Sequence, residues 1–294
     1  MHKLIIEVAL NEAMSKALNP NIPYGLDEVV RDTVACARAG ATIIHFHSRD
    51  PKTGEDTEGD LETYAETMKA VQRECDVIIS PSYPVKTMEE RIGFLERLGD
   101  YPGVRLEFAG HGVGSTSAVT VDPRTKELKG PSILAPAQEV LKFAQAMHRR
   151  RVRILLGCRD VGHLRHVRAL LDAGAIEPPL FFNLFLSEEG YFGPSPDARG
   201  LMMYLDMIPP ATPHQWMVSA YKSPTLEGRI NMLAVAMGGH VRTGLGEAPL
   251  HDGKKITNAD HVQRLADLAH RADRGIATPA EARQMLGIAP LGNR

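Results

Sequence analysis

Cysteine is scarce in this chain of 294 residues: Cys36, Cys75 and Cys158 are odd in number, far apart and without a Cys-x-x-Cys pair. That argues against a disulfide framework and a thiolate zinc site, and it suits a reducing, cytoplasmic environment. Net charge is scarce too. A formal charge of -2 gives no electrostatic footprint for nucleic acid, and the basic cluster His148-Arg149-Arg150-Arg151 reads as a solvated helix end. No apolar window approaches the roughly 18 residues that a membrane span needs. The opening stretch Leu4 to Leu10 reads as a first strand rather than a secretory leader. The expectation is a soluble, unexported protein with neither nucleic acid nor membrane as partner. Two nucleotide-phosphate signatures, Gly-x-Gly-x-x-Gly and Gly-x-x-x-x-Gly-Lys-Ser/Thr, are missing as well.

What the chain does contain is a regular alternation with no low-complexity linker, and at 43% hydrophobic it can fill a sizeable core. Short apolar runs predict strands over Leu4–Leu10, Thr42–His47, Val77–Ser80, Val104–Phe108, Val152–Gly157, Phe181–Leu186, Gln215–Ser219 and His240–Gly244. Amphipathic stretches between them predict helices over Asp27–Ala39, Leu61–Arg73, Thr87–Leu98, Pro136–Arg149, His163–Ala173 and Leu226–Met237. A closing helix starts at Asn258 as its N-cap, and a tail helix starts near Pro279. Eight strand-helix units point to an α/β fold, a (β/α)8 TIM barrel spanning residues 1–294 as one domain with a C-terminal helical tail. A doubly wound sheet uses the same alternation, but the missing phosphate signatures favour the barrel.

The most informative motif is His45-Phe46-His47 at the end of the run Ala41-Thr42-Ile43-Ile44. Alternate strand residues share a face, so both imidazoles project from one side, and two histidines on a packed face need polar partners or a metal. In a barrel the strand C-termini converge on one mouth, where active sites lie. The ends carry Asn11 and Glu12, His45 and His47, Ser80 and Ser82, Glu107, Asp160, Asn183, Tyr221 and Lys222, and Arg242 and Glu247.

Several of these segments resemble, in order and over nearly the full length, the β-keto acid cleavage enzymes. They are the Asn19-Pro20-Asn21-Ile22-Pro23 turn, Ala39-Gly40-Ala41 leading to His45-Phe46-His47-Ser48-Arg49-Asp50, the lone Trp216, Gly238-Gly239-His240-Val241-Arg242-Thr243-Gly244-Leu245, and Ala277-Thr278-Pro279-Ala280-Glu281-Ala282-Arg283. The resemblance implies a zinc-dependent barrel that takes a β-keto acid and acetyl-CoA to acetoacetate and a new acyl-CoA. It implies a zinc held by the two strand histidines and a carboxylate after the last strand, and a homo-oligomer, commonly a tetramer. Such a zinc, with open positions, polarises a chelated keto acid as a Lewis acid. Arg242 is the natural partner for an anionic intermediate.

The departures shape the expectations for this chain. Where the family carries Gly-Leu-Glu-Asp-Asn, with Glu as zinc ligand and Asp in catalysis, the run here is Gly244-Leu245-Gly246-Glu247-Ala248. The ligand position is a glycine, so the expectation is that Glu247 reaches the metal as third ligand, with Asp160, water or substrate completing proton transfer. Family members that act on an amino-substituted keto acid meet the amine with two glutamates, at positions here occupied by Met14 and Gly157. The expected substrate is therefore a β-keto acid without a distal amine, its tail against Met14 and Tyr83. Ser82 matches a family serine that hydrogen-bonds in the site, and the Tyr83-Pro84 that follows replaces Thr-Gly-Gly. His111, expected after the fourth strand, and Lys222 are further candidates for substrate contact, and Cys158 reads as buried and inert. Two other classes stay open: a CoA-independent zinc lyase or hydrolase, and a catalytically silent metal or metabolite binder.

Overall fold

The apolar runs pair as parallel strands in a computed structural model of the chain, which describes residues 2–289 other than Glu58, Val85, Pro210 and Lys222, with the backbone alone at Pro224. The barrel strands are β1 (Ile6–Ala9), β2 (Ile43–Phe46), β3 (Ile78–Pro81), β4 (Phe108–Gly112), β9 (Arg153–Cys158), β10 (Leu180–Leu186), β11 (His214–Ala220) and β12 (His240–Thr243). Four short strands lie between β4 and the next helix: β5 (Thr116–Ser117), β6 (Thr120–Val121), β7 (Leu128–Lys129) and β8 (Ser132–Ile133). They form two small antiparallel pairs that the sequence reading did not anticipate. The ring runs β3-β2-β1-β12-β11-β10-β9-β4, and β3 lies beside β4, so the barrel is nearly closed. The helices α1 (Gly25–Ala39), α2 (Leu61–Glu74), α3 (Met88–Asp100), α4 (Ala137–Arg149), α5 (His163–Asp172), α6 (Ala198–Met207), α7 (Pro224–Met237) and α8 (Asn258–Arg271) follow successive barrel strands, and α9 (Pro279–Leu286) ends the described fold. No helix among the described residues is long and apolar enough to cross a membrane.

Period-two alternation sorts the barrel into two faces. Outward residues such as Ile44, Phe46, Ile79 and Val218 join the large core under the helices. Inward residues Ile5, Ile43, Ile78, Phe108, Leu155, Phe181 and Met217 form a separate apolar layer that Ala282 and Leu286 of α9 close from beneath. Two residues further along, the inward positions are polar at Glu7, His45, Ser80, Asn183 and Ser219 and glycine at Gly110 and Gly157, which places the site above this layer.

The fourth strand is displaced from its expected position, because Gly110 and Gly112, read as loop, continue the ladder opposite Leu155 and Gly157. His111 thus sits on β4 rather than after it, and Glu107 precedes the strand. Glu107 is buried at the opposite end from the mouth, where Arg283 of α9 donates to both its oxygens at 3.0 Å. The helix α6 was also missed. Its exposed Met202, Met203 and Met207 blur the amphipathic pattern, and its start is fixed by Asp197, whose side chain accepts from the amides of Arg199 and Gly200.

The N-cap of α8 is Thr257, in a capping box with Asp260, rather than Asn258. Asn258 turns inward instead, accepting from the Leu245 amide at 2.7 Å and donating to Leu10 at 3.0 Å and to Asp32 at 2.6 Å. Burial pushes the Asp32 carboxyl up to about 6, against the hydrogen bond from Asn258. A raised acid favours the folded state while protonated, so this contribution is full below about pH 4 and is lost as pH rises through about 6. Asp32→Asn is therefore expected to gain about 1–2 kcal/mol over the wild type at pH 7.5 and little at pH 4.5. Urea midpoints at the two pH values measure it, and parallel curves for the two proteins would refute the shift.

Candidate active site and metal centre

The two histidines are held in ligand-like orientations by their neighbours. His45 Nδ1 lies 2.7 Å from the Ser80 carbonyl on β3, which accepts its proton and leaves the Nε2 lone pair for the mouth. The His47 amide donates to Asn11 Oδ1 at 2.9 Å, and the Asn11 amide donates to the carbonyls of His47 and Pro23, both at 3.0 Å. This clasp fixes the loop after β1, on which Glu12 adopts a left-handed backbone with φ 41°. Such a backbone is costly for a residue with a Cβ, and it aims the Glu12 carboxylate at both rings. Oε1 is 3.2 Å from His45 Nε2 and Oε2 is 2.8 Å from His47 Nε2.

Among the described residues, Glu12, His45 and His47 form the one group of three whose ligand atoms, all within 4.8 Å of one another, could hold a metal ion. Glu247, expected as third ligand, lies outside this group. Glu247 is buried, and its Oε1 accepts from Arg242 Nε at 2.6 Å. At the neighbouring Gly246 a Cβ would stand 2.5 Å from Glu12 Cγ. The Glu12 side chain occupies the volume that a side chain at 246 would need.

Arg242 is the hub of the arrangement. Besides Glu247 it donates from Nη1 to Glu7 at 2.5 Å and from Nη2 to Glu12. Burial opposes its charge, but Glu247, Glu7 and Glu12 outweigh it and hold the guanidinium firmly protonated. Three carboxylates about one guanidinium leave two negative charges in excess. A divalent cation carries the opposite charge, and the donor set of two imidazoles and a carboxylate suits zinc, so the residues present fit a metal. Burial pushes Glu12 up, but in the absence of a metal the two imidazoles, when protonated, pull it well below the ordinary carboxylate range by charge and hydrogen bonding. Burial wins at Glu247, whose carboxyl is raised despite Arg242.

A cavity of about 390 Å³ opens above these groups, lined by the metal triad and, among others, by Met14, Ser82, Tyr83, His111, Arg242 and Glu247. The Ser82 amide donates to the Tyr64 hydroxyl at 2.9 Å. Tyr83 donates to the Gly110 carbonyl at 2.7 Å and meets His111 Nδ1 at 2.8 Å, pinning its loop across β4. His111 stacks on Phe143 at 4.2 Å, its Nε2 is buried without a partner, and burial pulls its pKa down to about 3. Asp160 is absent from the lining, and its carboxylate instead accepts from the Gly162 amide at 2.7 Å as a turn cap. Lys222 lies outside the described residues. Cys158 is buried, and burial pushes its thiol up, as suits an inert core cysteine. Two lining or supporting residues escaped the sequence reading: Glu7, inward on β1, and Arg159, two residues beyond Gly157 on the inward face. A charge inside an apolar strand and the period-two spacing were the signals for them.

Comparison with known proteins gives the family of the chain. The family model described as β-keto acid cleavage enzyme matches residues 3–288. The chain is 31% identical over 98% of its length to the 3-keto-5-aminohexanoate cleavage enzyme of Fusobacterium nucleatum, covering 99% of that protein. It is 24% identical to the 3,5-dioxohexanoate:acetyl-CoA acetone transferase of Paraburkholderia graminis, over 99% of this chain and 97% of that protein. Among solved structures, apo ObcA superposes with a TM-score of 0.70 at 15% identity, over 92% of this chain and 66% of that one, a likeness of fold. With the family model spanning nearly every residue and the two histidines at one barrel mouth, the chain belongs to the β-keto acid cleavage enzyme family.

Proposed function

We propose that this protein is a zinc-dependent β-keto acid cleavage enzyme that uses acetyl-CoA, and that Glu12 replaces the family's carboxylate as third ligand. The observation that carries it is the triad of Glu12, His45 and His47, whose Glu12 also pairs with Arg242 inside the cavity. In the net reaction the acyl group of the keto acid passes to the CoA sulphur, and the acetyl group joins the released CH2–COO⁻ fragment as acetoacetate. Zinc, when bound, supplies Lewis acidity toward the keto oxygen and a charge opposite to the enolate. His45, His47 and Glu12 would hold it.

The chain's own groups supply the remaining chemistry. Glu247, buried in the lining with a raised pKa, accepts the C2 proton and later returns it. Arg242 fixes the positions of Glu12 and Glu247 and keeps a second N–H on each terminal nitrogen for substrate oxygens. The Ser82 hydroxyl offers a further donor, and Met14 and Tyr83 border the substrate tail. The proton-transfer role first considered for Asp160 passes to Glu247. A cytoplasmic homo-oligomer, tetrameric by resemblance, completes the reading and is tested by light scattering.

The decisive experiment is metal analysis of purified protein, followed by incubation with a panel of β-keto acids with and without acetyl-CoA. The expected result is stoichiometric zinc and acetoacetate that appears only when acetyl-CoA is present. Zinc with product formed in the absence of acetyl-CoA would replace this reading with a CoA-independent lyase or hydrolase. Zinc without product from any keto acid would leave a metal or metabolite binder.

A further inference from the structure

Arg159 presents a half-buried cation with no assigned purpose. It follows β9 at the mouth, lines the same cavity as the metal triad, and its Nε is buried without a hydrogen-bond partner. Its guanidinium carbon lies 4.3 Å from the Phe185 ring centre and 5.9 Å from that of Tyr221, a partial aromatic cradle. Among the described residues no carboxylate pairs with it, and the adjacent Asp160 is committed to the Gly162 amide. A cation held in such a place is costly unless an anion meets it. The anion is therefore sought in the ligand.

Ring order supplies the direction. Counting round the ring β3-β2-β1-β12-β11-β10-β9-β4, the strand β9 stands across the barrel from β1, while β10, which carries Phe185, stands across from β2. Glu12 and the histidines thus occupy one side of the mouth and Arg159 the other, so a ligand whose keto acid end lies at the triad extends its tail toward the guanidinium. Gly157, the position that carries an amine-binding glutamate in relatives by resemblance, is the preceding inward residue on β9. A planar guanidinium seats a carboxylate through two parallel N–H bonds.

We infer that Arg159 seats a second, distal carboxylate of the substrate, so that this enzyme selects β-keto dicarboxylates over β-keto monocarboxylates. The inference rests on the reading of the site as a β-keto acid site, and it is independent of whether acetyl-CoA is used. Its test is equilibrium binding by calorimetry to the zinc-loaded protein without acetyl-CoA. The probes are 3-oxoadipate and 3-oxohexanoate, which differ only in a terminal carboxylate against a methyl group, and the longer pair 3-oxopimelate and 3-oxoheptanoate.

For at least one pair the wild type is expected to bind the dicarboxylate roughly 10- to 100-fold more tightly, the range of a charge-assisted hydrogen bond. Arg159→Gln should bring that ratio to within about threefold while leaving the monocarboxylate affinity unchanged, and Arg159→Lys should keep part of it. Equal affinities within both pairs for the wild type would overturn the proposal, as would an unaltered preference in Arg159→Gln. Loss of acetyl-CoA affinity in Arg159→Gln with no change in keto acid preference would also overturn it, assigning the guanidinium to a CoA phosphate. Weak binding of every keto acid would instead point to failure of the underlying functional reading, and the two failures are thereby distinguished.

Discussion

Glu12→Ala is expected to strip the metal, lowering apparent zinc affinity by at least about 100-fold, since even outer-shell partners of ligands are worth about 10–100-fold. Glu247→Ala should keep zinc within about tenfold of wild type and lose turnover by about 10²–10⁴-fold, the range of a positioned acid-base group. The contrast follows from where the carboxylates sit. Glu12 oxygens lie 3.2 and 2.8 Å from the two Nε2 atoms, whereas Glu247 is spent on Arg242 Nε at 2.6 Å. Competition with a chromophoric chelator reads the affinities directly and needs no substrate. The close approach at Gly246 adds a stricter test, because the loops after β1 and β12 enter the same volume. A carboxylate supplied from position 246 can take the place of one supplied from position 12, so Glu12→Gly combined with Gly246→Glu is expected to recover most of the zinc affinity. Gly246→Glu alone should lose affinity, because the two side chains collide. Zinc retained by Glu12→Ala but lost by Glu247→Ala would reinstate Glu247 as the ligand.

The histidine pair was legible because strand periodicity is local: two residues apart means one face, wherever the strand goes. Barrel order was legible for the same reason, as most strand and helix bounds follow from apolar runs and their glycine or capping ends. The proposed third ligand was not. Glycine at 246 directed attention to its sequence neighbour Glu247, but spatial neighbours decide, and β12 pairs with β1 so that Arg242 lies opposite Glu7. Glu12 was visible as a mouth residue, and its aim depends on a left-handed backbone that propensity assigns to glycine or asparagine. Glu107 was misplaced by a related error, in that two glycines read as a turn continue a ladder and shift the strand by several residues. Arg159 was passed over because its sequence context does not show which side chains surround it. What marks it is a three-dimensional fact, that among the described residues no carboxylate pairs with it and its Nε is buried without a partner.

Arg242→Met is expected to destabilise the metal-free protein by about 3–5 kcal/mol, the usual consequence of removing one partner from a buried charge cluster. The thermal midpoint should fall by about 10 °C. The side chain it removes is 9% exposed and balances Glu7, which is fully buried, together with Glu247 and Glu12. Without the guanidinium the carboxylates repel one another, and Glu7 Oε2, already without a hydrogen-bond partner, loses the nearest positive charge to its carboxyl group. Arg242→Lys should recover only part of the loss, because one ammonium cannot meet three carboxylates that approach from Nε, Nη1 and Nη2. If the cluster is the cause, removing a repelling partner must help. Arg242→Met combined with Glu7→Leu should therefore be more stable than Arg242→Met alone, with a coupling of about 1–3 kcal/mol in the double-mutant cycle. Zinc should also narrow the gap between variant and wild type, because a dication bound at Glu12 supplies charge the guanidinium no longer does. Additive single losses and a zinc-independent gap would show instead that Arg242 contributes through packing alone.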